Sequence, residues 1–280
     1  MDFRPLTMKD RPLIEKCRDP RKHPFTALSF TSLFTWRKAY GLEICGDPDF
    51  FAVHSRVEDA LFCPCGDEEK CARFLEEAAK PGTRILYLTQ EQAEALGDGW
   101  EIRIRDDLSE YLCDTPALAL KEGWHMSHSY KDKCRQYKKR HPYTVKALTK
   151  EDLPLMVQIA REWLEADMDD EEDLVALVQE IRSYNAMPLT GVMITAENGE
   201  HAFIMGYENT PEMFTMTMVK HNLSLPKLMT PVCVHELACM LCDRYPTINL
   251  EEDLGLEGLR NAKQLYSPAG KLEVYEAVRL

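Results

Sequence analysis

The chain of 280 residues lacks several features that would assign it to a simple class. It has no run of 18 apolar residues, and its first residues, from Met1 to Arg4, do not begin a signal peptide. We therefore expect no transmembrane segment and a cytoplasmic location. The ten cysteines are then expected to stay reduced. With 45% apolar and 29% charged residues, the composition is that of a globular protein.

Regular metal-ligand spacing is also missing. Cys63, Cys65 and Cys71 could supply three thiolates, and Cys239 with Cys242 forms a CxxC pair. The first set is irregularly spaced and the second lies in an apolar helical run, so packed thiols are the better interpretation. We predict no metal site and no cofactor that the chemistry requires.

What the chain does have is charge, distributed unevenly. Of the net charge of −13, residues 151–180 contribute −10, because they hold eleven acidic residues and a single base, Arg161. Residues 130–141 show the opposite bias, with six basic residues and one acid, Asp132. A basic segment therefore coexists with an acidic protein, and a polyanionic partner is not excluded by the overall charge.

Helical and strand patterns alternate along the whole chain, which predicts an α/β (α+β) fold with mixed sheets flanked by helices. Strands are predicted at residues 49–54, 60–63, 84–88 and 100–105 in the first half, and at 143–148, 189–196, 202–207, 213–220 and 247–248 in the second. Asn198-Gly199 predicts a hairpin with a type I′ turn. Residues 124–142 predict a basic helix whose Tyr130, Cys134 and Tyr137 share one face.

Charged and polar residues with possible chemical roles are most concentrated between residues 248 and 268. Here a strand end leads into a run of acids, Glu251 to Asp253, and then into a helix that carries Arg260 and Lys263. Gly255 is predicted to have a positive φ or a close backbone neighbour. The alternative is a surface helix in which Asp253 only caps the helix or pairs with Arg260.

This stretch resembles the signature of a known family, the C-terminal domain of phosphatidylglycerol lysyltransferases. The residues that carry the resemblance run from Asn249 to Lys263, followed by Tyr266-Ser-Pro268. Weaker matches are Phe30 to Arg37 with Tyr40, the turn Pro64-Cys-Gly66, Glu110-Tyr111, and Gly123 before the basic helix. Because these matches are spread over most of the chain, the resemblance concerns the whole protein.

The element order of the second half matches one GCN5-related N-acyltransferase-like (GNAT-like) unit, and the chain is predicted to hold two in tandem. The predicted ranges are 1–123 for a degenerate first half, 124–142 for a linker helix, and 143–280 for the half with the active site. The resemblance further implies that the linker helix meets a tRNA backbone. The residues predicted to bind nucleic acid are Lys131, Arg135, Lys138 and Lys139.

The expected function is the transfer of an acyl or aminoacyl group from an activated ester to an amine or hydroxyl of a small molecule, a peptide or a lipid head group. A carboxylate would act as base or hold an ammonium group, and cationic side chains would neutralise a phosphate. The predicted catalytic residues are Asp253, Glu252, Arg260 and Lys263. The predicted substrate-binding residues are Asn249, Glu251, Tyr266, Lys220 and His221.

The donor is expected to be aminoacyl-tRNA rather than acyl-CoA. An acyl-CoA site of this fold usually has a glycine-rich loop after the fourth strand, whose amides contact the pyrophosphate. The corresponding segment, residues 220–227, contains no glycine. A second function stays open from the sequence, namely a non-catalytic module of the same fold that binds nucleic acid or a nucleotide-bearing ligand.

Overall fold

The computed structural model describes residues 2–166 and 171–280, so residues 167–170 of the acidic run lie outside the described residues. The chain divides into two compact units. The first comprises Met1–Glu110 with Leu272–Leu280, and the second comprises Tyr111–Lys271. These divisions fall at other positions than the predicted domain ranges, since the basic helix belongs to the second unit and the C-terminal strand to the first.

The part of the chain that is described forms fifteen strands and ten α-helices. The strands are β1 (Arg4–Pro5), β2 (Leu42–Asp47), β3 (Phe50–Ser55), β4 (Ala60–Phe62), β5 (Cys65–Gly66), β6 (Arg84–Leu88), β7 (Trp100–Ile104), β8 (Glu110–Asp114), β9 (Tyr143–Ala147), β10 (Leu189–Ala196), β11 (His201–Thr210), β12 (Met213–His221), β13 (Thr247–Asn249), β14 (Gly270–Leu272) and β15 (Tyr275–Arg279). The helices are α1 (Arg11–Cys17), α2 (Phe30–Trp36), α3 (Glu68–Ala78), α4 (Gln90–Ala95), α5 (Thr115–Leu118), α6 (His128–Arg140), α7 (Leu153–Glu165), α8 (Glu171–Ser183), α9 (Met229–Leu241) and α10 (Glu257–Gln264).

The strands form two mixed sheets with one repeated topology. The first has the order β1-β2-β3-β4-β6-β15-β7, with β5 on β3, and the second has the order β14-β8-β13-β12-β11-β10-β9. β4 pairs in parallel with β6, and β12 pairs in parallel with β13. In each unit a strand, two helices, three antiparallel strands, a helix and a parallel strand follow one another. The predicted α+β class is confirmed.

A repeated sequence pattern marks the start of each copy. Residues 6–13 and 148–155 both read Leu-Thr-x-x-Asp-x-Pro-Leu. In each copy the aspartate, Asp10 or Asp152, is buried and accepts hydrogen bonds from the backbone N–H of the threonine, at 2.8 and 3.0 Å, and from its hydroxyl, at 3.0 and 3.1 Å. A basic side chain six positions earlier completes each arrangement. These basic residues are Arg4 and Lys146.

The predicted hairpin is confirmed as β10 and β11, but its turn differs from the prediction. Gly199 has a φ of +83°, whereas Asn198 is not among the residues with positive φ. A type I′ turn needs positive φ at both central residues, so that prediction is wrong. The N–H of Gly199 donates to the carbonyl of Ala196 at 2.9 Å, and the N–H of Ala196 donates to Glu200 at 2.8 Å. The chain thus turns over residues 196–199 and bulges at the glycine.

In the second unit, α6 and α9 share the core on one face of the sheet. The buried side of α6 consists of Tyr130, Cys134 and Tyr137, as the spacing predicted, and Ser127 caps the helix by accepting from the N–H of Tyr130 at 3.2 Å. This core also takes side chains from the strands, among them Phe214 and Ile248. None of the described helices is both long enough and apolar enough to cross a bilayer.

Candidate functional site

The second sheet opens between two of its central strands. β12 and β13 pair only from Met213 opposite Thr247 to Thr215 opposite Asn249. Beyond this point β12 continues to His221, whereas the chain after Asn249 follows Tyr111 instead: the N–H of Leu250 donates to Tyr111 at 2.9 Å. The two strands therefore separate after Thr215, and ligands of open α/β sheets often bind where neighbouring strands diverge.

A β-bulge lies directly beside this opening. In the pairing of β11 with β12, Gly206 faces Met216 and Met205 faces Met218, so Thr217 is an extra residue. Its hydroxyl donates to the carbonyl of Met205 at 3.3 Å. Bulges redirect side chains and are frequent beside active sites.

The predicted polar stretch forms a compact loop on the other side of the opening. Asp253 is fully buried and accepts from Tyr111 Oη at 2.6 Å, from Arg260 Nε at 2.9 Å and from the N–H of Gly255 at 2.8 Å. Lys263 Nζ donates to the carbonyl of Leu250. The structure thus brings Asp253, Arg260 and Lys263 together.

The backbone of this loop is unusual. Gly255 has a φ of +73°, as predicted, and Glu251 and Leu254 also have positive φ, at 61° and 51°. Asn249 is fully buried and accepts from the N–H of Glu251 at 2.8 Å, which fixes the first of these positions. Three left-handed positions within five residues need such side-chain contacts to persist.

The protonation behaviour of Asp253 follows from these contacts. Burial acts to raise the pKa of Asp253, but the hydrogen bonds from Arg260, Tyr111 and Gly255 outweigh it and lower the pKa to about 2. A carboxylate with this pKa is a weak base at neutral pH. Its side chain bonds Gly255, two residues before α10 begins. The structure therefore favours the alternative in which Asp253 pairs with Arg260.

The remaining predicted substrate residues lie in two other places. Tyr266 is buried in the core, where its ring packs against Tyr130 at 5.6 Å between centroids. Lys220 Nζ lies 4.3 Å from the ring centroid of Trp163 on α7. His221 is buried, with Nδ1 2.8 Å from the carbonyl of Asn222, and its own carbonyl accepts from Trp163. Glu251 and Glu252 are half-buried beside Asp253.

The basic residues of α6 face away from the core. Their spacing places them on a different side of the helix from the buried tyrosines. The residues on this face are Lys131, which is half-buried, and Arg135, Lys138 and Lys139, which are exposed. The basic face is therefore accessible to a polyanion.

The cysteines take no part in this site. All ten have free thiols, and burial raises the pKa of Cys71 to about 12. The part of the chain that the structure describes holds no group of three His, Cys, Asp or Glu side chains placed to bind a metal.

Sequence reasoning missed one acidic residue, Glu180 on α8. It is 1% exposed, and neither carboxyl oxygen has a hydrogen-bond partner. Burial raises the pKa of Glu180 to about 7, and the nearby Thr217 hydroxyl acts to lower it, although it does not make a hydrogen bond to either carboxyl oxygen. A signal was available, because Glu180 interrupts the apolar stripe formed by Ala176, Leu177 and Ile181.

The sheet face opposite the α9 core carries polar side chains that are also buried. Tyr207, Thr215 and Asn249 lie opposite one another on three neighbouring strands, so their side chains share a face. Phe214 and Ile248, which alternate with them, belong to the core on the α9 side. A row of buried polar groups, with the buried acid Glu180 near Thr217 on one of the same strands, is unlike an ordinary core.

Comparisons with known proteins give a consistent result. The family model described as "Phosphatidylglycerol lysyltransferase, C-terminal" matches residues 21–278. No curated protein sequence matches the chain. The crystal structure of a conserved protein of unknown function from Bacteroides thetaiotaomicron VPI-5482 is 24% identical, with a TM-score of 0.84 and 99% of each chain covered.

Two further solved structures share the fold at lower identity. The structure of L-PGS from Bacillus licheniformis is 14% identical with a TM-score of 0.59, covering 94% of this chain and 93% of that one. The crystal structure of FemX is 10% identical with a TM-score of 0.59, covering 100% of this chain and 98% of that one. Together with the repeated strand order, these matches confirm the predicted fold of two GNAT-like units in tandem.

Proposed function

Because the chain belongs to the family of phosphatidylglycerol lysyltransferase C-terminal domains, we propose that it transfers an aminoacyl group from an aminoacyl-tRNA to an amine or hydroxyl acceptor. The observation that carries the proposal is the opening between β12 and β13 after Thr215 and Asn249. It places the part of β12 that does not pair with β13 beside a loop rich in charged groups, and direct acyl transfer can use both features.

The chemistry requires no covalent enzyme intermediate. The acceptor nitrogen or oxygen attacks the carbonyl carbon of the ester, a new amide or ester bond forms, and the ester bond to the tRNA ribose breaks. The proton of the acceptor passes to the leaving ribose oxygen. Backbone N–H groups of β12 that face the opening would stabilise the negative charge on the carbonyl oxygen.

The loop residues have distinct roles in this proposal. Arg260 and Lys263 would neutralise a phosphate of donor or acceptor, while Asp253 positions Arg260 rather than acting as base. Asn249 and Glu251 set the shape of the loop through their hydrogen bond. Glu252, half-buried beside them, stays the predicted base for the acceptor proton.

Two features favour aminoacyl-tRNA over acyl-CoA as donor. Residues 220–227, which end β12 and follow it, include no glycine, and a glycine-free segment brings its backbone amides less close to a pyrophosphate. The exposed basic face of α6 supplies cations that an RNA backbone would contact with release of counterions. The lipid acceptor in the family's name is one candidate, beside peptides and small amines.

The proposal is tested with the full chain and tRNAs charged with labelled amino acids. Phosphatidylglycerol vesicles, an amine-bearing peptide and a small amine serve as acceptors, and a parallel reaction contains labelled acetyl-CoA. We expect label to move from tRNA to one acceptor faster than spontaneous hydrolysis releases it. Transfer from acetyl-CoA alone would contradict the choice of donor.

A variant pair examines the tRNA contact. Arg135→Glu with Lys139→Glu removes two phosphate contacts, so tRNA affinity should fall about tenfold and its salt dependence should weaken. Lys80→Glu, an exposed change in the first unit, is the matched control and should bind as the wild type does. tRNA binding without transfer to any acceptor would favour the binding module instead.

A further inference from the structure

The buried acids of the described chain differ in one respect. Six carboxylates are buried there: Asp10, Glu110, Asp152, Glu180, Asp253 and Glu276. Four of them pair with an arginine or a lysine, and Glu110 accepts from the N–H and hydroxyl of Thr26 at 2.8 and 3.1 Å. Glu180 alone has no hydrogen-bond partner on either oxygen. A buried acid in this state indicates a partner supplied from outside the chain.

We infer that the buried polar face of the second sheet, on the side opposite the α9 core, binds a primary ammonium group, with the Glu180 carboxylate as its counter-charge. This inference rests on the proposed function, in which the ammonium is the α-amino group of the transferred aminoacyl moiety. Glu180 is then a substrate-binding residue that orients the ester carbonyl toward the opening in the sheet.

The surroundings of Glu180 favour a cationic ligand. An ionised carboxylate only accepts hydrogen bonds, so its missing partner must be a donor. The side chains of α7 that are buried, Met156, Ile159 and Ala160, are apolar. Across the described residues, no lysine or arginine is buried, so the chain itself offers no cation at this depth.

The other polar groups of this sheet face suit the rest of an ammonium. Its three hydrogens need three acceptors, and a carboxylate can satisfy one or two of them. Thr215 and Tyr207, both buried on the same face, carry oxygens that can accept the remaining hydrogens. Recognition by one charge and several neutral oxygens selects an amine over a neutral amide, because the amide leaves the carboxylate charge uncompensated.

Glu180 lies near the opening already described, since its carboxyl interacts with Thr217. Thr217, the bulge residue near Glu180, lies two residues beyond Thr215, where β12 and β13 separate. A ligand whose ester lies in the opening can therefore place an amino group at Glu180. The donor's ester and its ammonium would lie at adjacent positions along one strand.

The experiment measures ligand binding by titration calorimetry, independently of transfer. The probes are glycinamide, alaninamide and lysinamide, each with an ammonium and a blocked carboxyl, and N-acetylalaninamide as the matched neutral compound. We expect at least one amide to bind the wild-type chain, the acetylated compound not to bind, and Glu180→Gln to weaken binding about tenfold or more. Binding should also weaken from pH 7.5 to pH 6, as Glu180 takes up a proton.

Two controls separate this inference from the proposed function and from misfolding. Glu165→Gln changes an exposed glutamate near the end of α7 and should leave binding unchanged. Thr217→Val keeps the shape beside Glu180, and its binding should fall less than that of Glu180→Gln. Equal binding by wild type and Glu180→Gln, or no amide binding by a folded wild type, overturns the inference. Aminoacyl transfer by the same wild-type sample would still uphold the proposed function.

Discussion

The two copies of the repeated topology differ most in the second helix of each. α2 of the first unit reads Phe-Thr-Ser-Leu-Phe-Thr-Trp, without an ionisable residue, and its first six residues are buried. α8 of the second unit buries Glu180 at the corresponding place in the element order. The first copy therefore completes its core at this helix, whereas the second leaves a charge in its core.

The same contrast appears between two buried acids, Glu276 of the first unit and Glu180 of the second. In the first unit Glu276 is fully buried, but Arg84 and Arg103 each donate to it at 2.6 Å. Burial acts to raise the pKa of Glu276, and the arginines outweigh it and lower the pKa. Glu180 shows burial without compensation. Paired acids stabilise a fold, and an unpaired one is retained for another reason, which we assign to ligand binding.

The largest expected effect comes from giving the first copy the acid of the second. Leu33→Glu places a carboxylate at a site on α2 that is 1% exposed and whose helical neighbours are themselves buried. We expect a loss of about 4 kcal/mol or more in the free energy of unfolding at pH 8, or failure to fold. Urea unfolding measures it, with the exposed Lys38→Glu as control. A loss below about 1 kcal/mol would show that α2 tolerates a buried acid and would break the comparison.

The reverse change in the second copy should stabilise. The folded pKa of Glu180, about 7, lies above the unfolded value of 4.5, so ionisation destabilises the fold increasingly as pH rises from 4.5 to 7. Glu180→Gln should therefore raise the free energy of unfolding by up to about 3 kcal/mol at pH 8 and change it little at pH 4.5. Urea unfolding between these pH values measures the difference. A difference that does not vary with pH would contradict an uncompensated Glu180.

Some of the structural features behind these effects could be predicted from the sequence, and others could not. Strand and helix positions were predictable because apolar periodicity is local, as in the stripe Tyr130, Cys134, Tyr137. The type of the turn at Asn198-Gly199 was not predictable, since it depends on whether the hairpin loop has two residues or more. The strands β8 and β15 add to sheets far away in sequence, and no local pattern predicts that pairing.

The site divides in the same way. The cluster of Asp253, Arg260 and Lys263 was predictable because its members are close in the sequence and share one helix start. The contribution of Tyr111 to this cluster was not predictable, because Tyr111 lies 142 residues before Asp253 in the sequence. Glu180 stands in a segment with many acids, so its interruption of the apolar stripe of α8 was easily overlooked, and its burial in the structure distinguishes it from the other acids. The predicted roles of Lys220, His221 and Tyr266 stay predictions.

Replacing Asp253 should change the free energy of unfolding by an intermediate amount, with a pH dependence opposite to that expected for Glu180. Its folded pKa of about 2 lies below the unfolded value of 3.8, so ionisation stabilises the fold above pH 3.8 and this is lost as pH falls through 2. Asp253→Asn should cost about 2 kcal/mol at pH 7. Urea unfolding at pH 7 and pH 3 measures it, and the cost should shrink at the lower pH. An unchanged cost would indicate that shape, not charge, holds the loop.

The smallest effects should come from the repeated motif, where the two copies are most alike. Arg4 donates to both oxygens of Asp10, whereas Lys146 donates to one oxygen of Asp152, and both cations are more than half exposed, at 57% and 58%. Exposed cations contribute under about 1 kcal/mol, and two hydrogen bonds contribute more than one. Arg4→Ala should therefore cost slightly more stability than Lys146→Ala, as measured by urea unfolding at low salt. If Lys146→Ala cost several times more stability than Arg4→Ala, the second copy would depend on this ion pair more than the first copy does. The two helix starts would then share their sequence pattern but not the contribution of that pattern to stability.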